Sequence, residues 1–247
     1  MRRFFTDPAY VDENTAQIIE DAEHITRVLR MKVGDEILLF DGTGYEYKAV
    51  LTVIDSKECQ AKILEKYHSA QEPQIQVTIF QGLPKSGKME VIIQKAVELG
   101  VFDIVPMITE RCVAKMETDK KVTEKLKRWN RIALEAAKQC GRGRVPQVLP
   151  PVPFHTAVQK AVNMDLGLMP YEILGHQGDR SLKKILQSVS CKNIGVLIGP
   201  EGGFSDAEAE QAKQMGIMLT GLGKRILRTE TVSGTLLSII MYEKNEM

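Results

Sequence analysis

The residues best suited to chemistry stand in two runs. The first, Gly199-Pro200-Glu201-Gly202-Gly203-Phe204-Ser205, follows the apolar stretch Asn193 to Ile198 and leads into a helical pattern. It reads as a strand, a glycine-rich turn and a helix start. Ser205 with Glu208 three residues on is a capping-box signature, so the backbone N–H groups around Gly202 to Asp206 are expected at a helix N-terminus. Glycine there lets a ligand approach the main chain closely. The second run, Leu222-Gly223-Lys224-Arg225-Ile226-Leu227-Arg228-Thr229-Glu230-Thr231, interrupts an otherwise core-like composition with charge and hydroxyls. Two such loops close together in sequence suggest one pocket.

A third run competes with them. Gly82-Leu83-Pro84-Lys85-Ser86-Gly87-Lys88 fits the first seven positions of a phosphate-binding loop and lies between an expected strand and helix. Met89 then stands where a hydroxyl would meet magnesium, and Pro84 removes an N–H from a loop that works by presenting them. Lys85 and Lys88 are assigned instead to electrostatic contact with an RNA backbone. A dinucleotide fingerprint is absent, because Gly221-Leu222-Gly223 lacks its third glycine. The histidines His24, His68, His155 and His176 have no metal spacing and no nucleophile motif, so neither zinc chemistry nor a hydrolytic triad is supported, and no metal is expected.

The elements that must position these loops follow from pattern. With 247 residues and 43% hydrophobic content the chain can bury a substantial core, in one large domain or two smaller ones. Two are expected, residues 1–72 and 73–247. Short alternating segments at Glu36 to Phe40, Tyr45 to Val53 and Cys59 to Leu64 make the first part β-rich, with a helix around His24 to Met31 and a linker at Lys66 to Pro73. Beyond it strands and helices alternate. Strands are expected at Ile75 to Gln81, Asp103 to Ile108, Asp165 to Pro170, Asn193 to Ile198 and Met218 to Leu222. Helices are expected at Met89 to Leu99, Thr123 to Gln139, Phe154 to Val162, Arg180 to Ser188, Asp206 to Met215 and Val232 to Lys244. Such alternation predicts an α/β fold with a mostly parallel sheet, whose ligands bind beyond the carboxyl ends of strands, where both special loops lie.

Composition narrows the compartment and the partner. No apolar run approaches the roughly 20 residues that cross a bilayer, so a soluble, cytoplasmic protein with no membrane partner is expected. Cys59, Cys112, Cys140 and Cys191 are scattered singly, which suits reduced thiols. Lys plus Arg total 33 against 32 Asp plus Glu, yet Arg111 to Arg144 holds eleven basic residues and four acidic ones. That strip reads as a surface for a phosphate backbone or as a solvated helix face.

Together the Gly199 to Ser205 and Leu222 to Thr231 runs resemble the RsmE family of bacterial 16S rRNA (uracil-N3)-methyltransferases, members of the SPOUT superfamily. Supporting matches fall in that family's order: Lys88-Met89-Glu90, Gln94-Lys95, Glu98-Leu99-Gly100, Glu110-Arg111-Cys112, Lys127-Arg128-Trp129, Glu135-Ala136-Ala137, Gln139 and Gly141-Arg142. Arg2-Arg3-Phe4-Phe5 and His24 to Arg30 are also similar to its members. The resemblance spans nearly the whole chain and is weakest between Val152 and Cys191 and in the hairpins before Pro73.

The resemblance implies a small PUA-like β-barrel domain that binds RNA, followed by a SPOUT-type α/β domain with a C-terminal deep trefoil knot. It implies S-adenosylmethionine as cofactor, held against Gly199, Pro200, Glu201, Gly202, Gly203, Leu222, Gly223, Ile226, Leu227 and Thr229. It implies methylation at N3 of one uridine in 16S rRNA of the small ribosomal subunit, by a homodimer. Arg228 is the candidate for stabilising charge on the uracil carbonyl oxygens. Glu230 is the candidate for orienting Arg228 or for accepting the proton, while an Arg228–Glu230 ion pair that fixes the knot is the competing reading. Glu201 either touches substrate or braces the loop. RNA contacts are assigned to Arg2, Arg3, Arg27, Arg30, Arg111, Arg128 and Arg142, with Phe4 and Phe5 as stacking surfaces or, alternatively, first-strand core. A nucleotide hydrolase and a noncatalytic RNA-binding assembly factor are the other classes considered.

Overall fold

The computed structural model describes residues 1–85, 87–113, 119–176 and 181–247. Ser86 of the lysine-bearing run, Lys115 and Glu117 of the basic strip, and Arg180 at an expected helix start lie outside them. The chain divides into two compact units, residues 1–72 with 134–145, and residues 73–133 with 146–247.

The first unit is built on β1 (Arg2–Phe5), β2 (Thr15–Ile18), β3 (Glu36–Phe40), β4 (Tyr45–Val53) and β5 (Cys59–His68), in the sheet order β1-β3-β4-β5-β2. The first pair is parallel and the others antiparallel. Alternation on β3 and β4 turns Ile37, Leu39, Ala49 and Leu51 onto a core that also takes Phe4, Ile18 and Ile25. Phe4 is therefore core, while Phe5 sets its ring edge-on to Phe40. The turn between β3 and β4 is fixed by Asp41, whose carboxylate accepts from Thr43 N–H, Thr43 hydroxyl and Tyr47 hydroxyl.

Two expectations change here. The helix at His24 to Met31 is a single π-helical turn, His24–Val28, and of its residues Ile25 is buried. The linker starts later than Lys66, because β5 runs on to His68: Tyr45 pairs with His68 across the ladder, their rings lie 4.1 Å apart, and Lys66 sits over the Tyr45 ring.

The second unit runs β6 (Gln76–Gly82), α1 (Lys88–Glu98), β7 (Asp103–Ile108), α2 (Asp119–Cys140), β8 (Gln147–Val148), β9 (Val152–Pro153), α3 (Phe154–Val162), β10 (Leu166–Pro170), α4 (Glu172–His176), α5 (Ser181–Ser188), β11 (Asn193–Ile198), α6 (Asp206–Gln214), β12 (Met218–Thr220) and α7 (Thr229–Glu243). Of these, α2 supplies residues to both units. The sheet order is β12-β10-β11-β6-β7-β8, with β9 also pairing β7, and every pair is parallel. Its central strands β6 and β11 are buried along nearly their whole length, as a sheet covered on both faces requires. The expected strands and helices of this unit appear with shifts of a few residues at their ends. The largest are at α2, which runs Asp119–Cys140 rather than from Thr123, and at α7, which starts at Thr229 rather than Val232 because the Thr231 and Val232 N–H groups already bond to the Arg228 carbonyl.

Candidate functional site

The carboxyl ends of β6, β10, β11 and β12 release the chain on one side of the sheet, and the turns that follow enclose a cavity of about 500 Å³. Backbones approach closely there. A Cβ on Gly82 would lie 2.6 Å from Pro200 Cδ, and one on Gly221 would lie 2.7 Å from the Gly175 nitrogen. Each position therefore requires glycine, and each marks a place where two distant chain segments cross.

A buried relay locks these segments together. Gln81, fully buried at the end of β6, donates through Nε2 to Thr229 Oγ1 at 2.9 Å, and Thr229 donates to the Gly199 carbonyl at 2.7 Å. Two strand ends and the start of α7 thus share one hydroxyl. The α6 start is set by the expected capping box, Ser205 accepting from Glu208 N–H while Glu208 accepts from Ser205 N–H. Glu208 also accepts from Glu110 N–H at 2.9 Å, and Arg111 donates to the Gly202 carbonyl at 3.0 Å, so the loop after β7 clamps the glycine turn from outside.

Of the ten candidate cofactor residues, Gly199, Pro200, Glu201, Gly203, Leu222, Gly223, Ile226, Leu227 and Thr229 line the cavity. Gly202 does not, since it lies beneath Arg111. Ile226 is 71% exposed, so its side chain is a rim rather than a wall. Apolar lining comes also from Ile198, Phe204 and Val232.

Arg228 lines the same cavity, but Glu230 does not orient it. Among the described residues the cationic partner of Glu230 is Lys88, whose Nζ stands 3.4 Å from Oε2 and 3.1 Å from Glu201 Oε1. The Arg228–Glu230 ion pair is therefore replaced by a Lys88 bridge. Glu230 Oε2 is buried and takes no hydrogen bond. Burial pushes the Glu201 carboxyl up, but its backbone hydrogen bonds and Lys88 outweigh that and hold it below the usual glutamate value. The hydrogen bond to Glu201 holds Lys88 above the usual lysine value, against desolvation and with help from Glu230.

The lysine-bearing run is thus committed to this site. Lys85 N–H, which a phosphate loop would present to its ligand, donates to Glu201 at 3.1 Å, and Lys88 faces two carboxylates. Sequence reasoning also missed Tyr171, at the cavity wall after β10. Its hydroxyl donates to Asp206 at the start of α6, and burial together with that bond pushes it up to about 12. No glycine cluster or charge pattern marked that segment, although a polar Gln81 ending an apolar strand was a visible irregularity.

The seven arginines assigned to RNA separate into two groups. Arg2, Arg27 and Arg30 are exposed on the first unit, and Arg111 and Arg128 on the second, with Arg27 paired to Glu23 and Arg128 to Glu90. Arg3 and Arg142 are corrected to structural roles. Arg142 is 4% exposed with its guanidinium on Glu72 at 2.8 Å, and Arg3 bonds Glu46 at 2.9 Å while lying over Phe40.

Comparison with known proteins gives independent findings. A family profile described as an RNA methyltransferase domain matches residues 70–241, and one described as an RNA methyltransferase PUA domain matches residues 20–64. The chain is similar to the Ribosomal RNA small subunit methyltransferase E of Bacillus subtilis (strain 168), 38% identical over 226 residues that cover 91% of this chain and 88% of that protein. The protein of the same name from Synechocystis sp. is 35% identical, covering 90% of this chain and 70% of its own length. A crystal structure of Ribosomal RNA small subunit methyltransferase E from Neisseria gonorrhoeae bound to S-adenosyl methionine superposes with a TM-score of 0.80 at 32% identity, covering 98% of this chain and 97% of that one.

Proposed function

The chain belongs to the ribosomal RNA small subunit methyltransferase E family, and we propose that it uses S-adenosylmethionine to methylate N3 of one uridine in 16S rRNA. The observation that carries this reading is the single cavity formed by the two glycine-broken turns beyond β11 and β12. Its residues fit the cofactor. Ile198, Leu222, Leu227 and Phe204 offer an apolar wall to a purine, and the turns expose main chain to hydroxyls and ring nitrogens. When bound, a sulfonium supplies an already activated methyl group.

The protein then has three tasks. It must align the acceptor nitrogen, exclude water and manage the N3 proton. Arg228 is placed to offset charge developing on the uracil carbonyl oxygens. Arginine stays protonated, so it is no base. Of the two roles considered for Glu230, orienting Arg228 has no ion pair to carry it. Accepting the proton is the role left to Glu230, whose Oε2 takes no hydrogen bond but stands 3.4 Å from the Lys88 ammonium.

The domain functions follow the same reading. The first unit, with its five-stranded sheet, is the PUA-like barrel that reads RNA shape through Arg2, Arg27 and Arg30; in the second unit Arg111 and Arg128 are assigned to RNA. Support for the trefoil knot comes from the close approach of the Gly221 turn to α4 at Gly175 and from the out-of-order neighbours β12, β10, β11 and β6. Exposed Ile226 and Tyr242, at 71% and 72%, suit the homodimer. Among the described residues no helix is long and apolar enough to cross a membrane, and ribosomal RNA as substrate fits a cytoplasmic location.

Calorimetric titration with S-adenosylmethionine, run beside magnesium ATP, tests the reading. Saturable methyl-donor binding is expected in the native chain and not in Gly203→Val, because Gly203 has a φ of 66° that a β-branched residue resists. Binding of ATP with no response to the methyl donor would overturn it.

A further inference from the structure

The cluster Lys88, Glu201 and Glu230 joins three segments: the start of α1, the turn after β11 and the first turn of α7. One ammonium serves two carboxylates, so the cluster carries a formal charge of about −1. Its members are two-thirds or more buried, with side-chain exposures of 31%, 28% and 23%. Lys85 N–H fixes Glu201 from a further direction. Lys88 and Glu201 line the cavity.

We propose that this anionic cluster reads the charge on the cofactor's sulfur, favouring the sulfonium of the methyl donor over the neutral thioether left after transfer. The inference rests on the S-adenosylmethionine reading of the cavity. The two ligands share adenosine and the amino-acid end. They differ in one methyl group and one positive charge. A fixed negative charge on the wall therefore acts on their difference alone, and it does so in a partly buried place where water screens it less.

Hydrogen bonds hold the Glu201 carboxyl down and the Lys88 ammonium up, so neither titrates across the neutral range. The other charged groups on the cavity are Glu172, Arg225 and Arg228. All three are exposed, so solvent weakens their effect on the difference. A cofactor that loses its attraction on losing its methyl group leaves more readily, which turns a geometric detail into a device for product release.

The test is the ratio of dissociation constants for S-adenosylhomocysteine and S-adenosylmethionine, measured by calorimetry on the native chain and two variants. Glu201→Gln brings the cluster to zero and is expected to lower the ratio about three- to tenfold, whereas Lys88→Met makes it more negative and is expected to raise it by a similar factor. Damage to the pocket weakens both ligands together and leaves the ratio unmoved. A ratio constant within about twofold in both variants, or shifted in the same direction by both, overturns the proposal. Should either variant bind neither ligand, sinefungin on the native chain decides. It carries an amine in place of the methylated sulfur, so binding close to S-adenosylmethionine supports the proposal and binding like S-adenosylhomocysteine sinks it. Native protein that binds neither cofactor form overturns the methyl-donor reading itself, and this inference with it.

Discussion

In the first unit Arg3 holds Glu46 and Arg142 holds Glu72, with the Arg142 carbonyl accepting from Arg3 at 2.6 Å. In the second unit a single Lys88 stands between Glu201 and Glu230. Both networks set basic side chains on glutamates, the first more deeply buried than the second. They differ in stoichiometry and in what lies beside them. Two guanidiniums on two carboxylates leave no net charge to act elsewhere, and the network closes on the fold. One ammonium on two carboxylates leaves charge to spare, and that surplus lines a cavity. A perturbed or buried charge marks a functional site only when something remains for it to act upon.

The contrast can be broken most forcefully at Arg142. Arg142→Ala leaves Glu72, 18% exposed, with the Arg144 N–H but without its guanidinium partner, and removing one partner of a buried pair costs about 3–5 kcal/mol. Urea unfolding is expected to show that loss. A change within about 1 kcal/mol would mean that the pair is not structural, and would return Arg142 to the RNA-binding group. Thr229→Val is expected to cost about 1–3 kcal/mol, because it leaves the buried Gln81 amide and the Gly199 carbonyl without their shared hydroxyl. Its effect on cofactor affinity should accompany the stability loss, since the same hydroxyl closes the cavity.

Glu201→Gln sharpens the contrast from the other side. Its stability cost is expected to stay within about 1 kcal/mol, as for a partly solvated pair, while S-adenosylmethionine affinity falls several-fold. Acid gives the same separation without a mutation. The folded Glu201 carboxyl sits below its unfolded value, so its stabilising contribution is present above the unfolded pKa and is lost as pH falls through the folded one. Lys88 sits above its unfolded value, so its contribution is present below that value and is lost as pH rises through the folded one. Native and Glu201→Gln chains should therefore differ in unfolding free energy by a constant amount across neutral pH. The gap should close below the ordinary glutamate range. A gap that varies through pH 6 to 8 would point to a different titrating group.

What the sequence made legible follows the reach of each interaction. The strands β6, β7, β10 and β11 and the helices α1, α3 and α6 were readable because their signals are local: apolar runs, period-3.6 patterns and a capping box. The two glycine turns were readable because glycine clusters after a strand are rare and physically pointed. Lys88 was visible, but its carboxylate partners were not. Its run matched a phosphate loop, and only the fold shows that Lys85 N–H and the Lys88 ammonium are taken by Glu201, 116 residues from Lys85. Arg3 and Arg142 failed for the same reason, since a basic strip in sequence does not reveal which of its members face carboxylates across the fold. Tyr171 and Gly175 lay where no local pattern stood out, and they join the site through chain crossings that periodicity cannot express.

The most direct test of the methyltransferase reading is transfer itself. The native chain is incubated with methyl-labelled S-adenosylmethionine and small ribosomal subunits that lack the modification, and the RNA is digested to nucleosides. Label in N3-methyluridine from a single 16S position, lost in Arg228→Ala while cofactor binding persists, is the expected result. Label in another base or none at all, from protein that binds the cofactor, would contradict it.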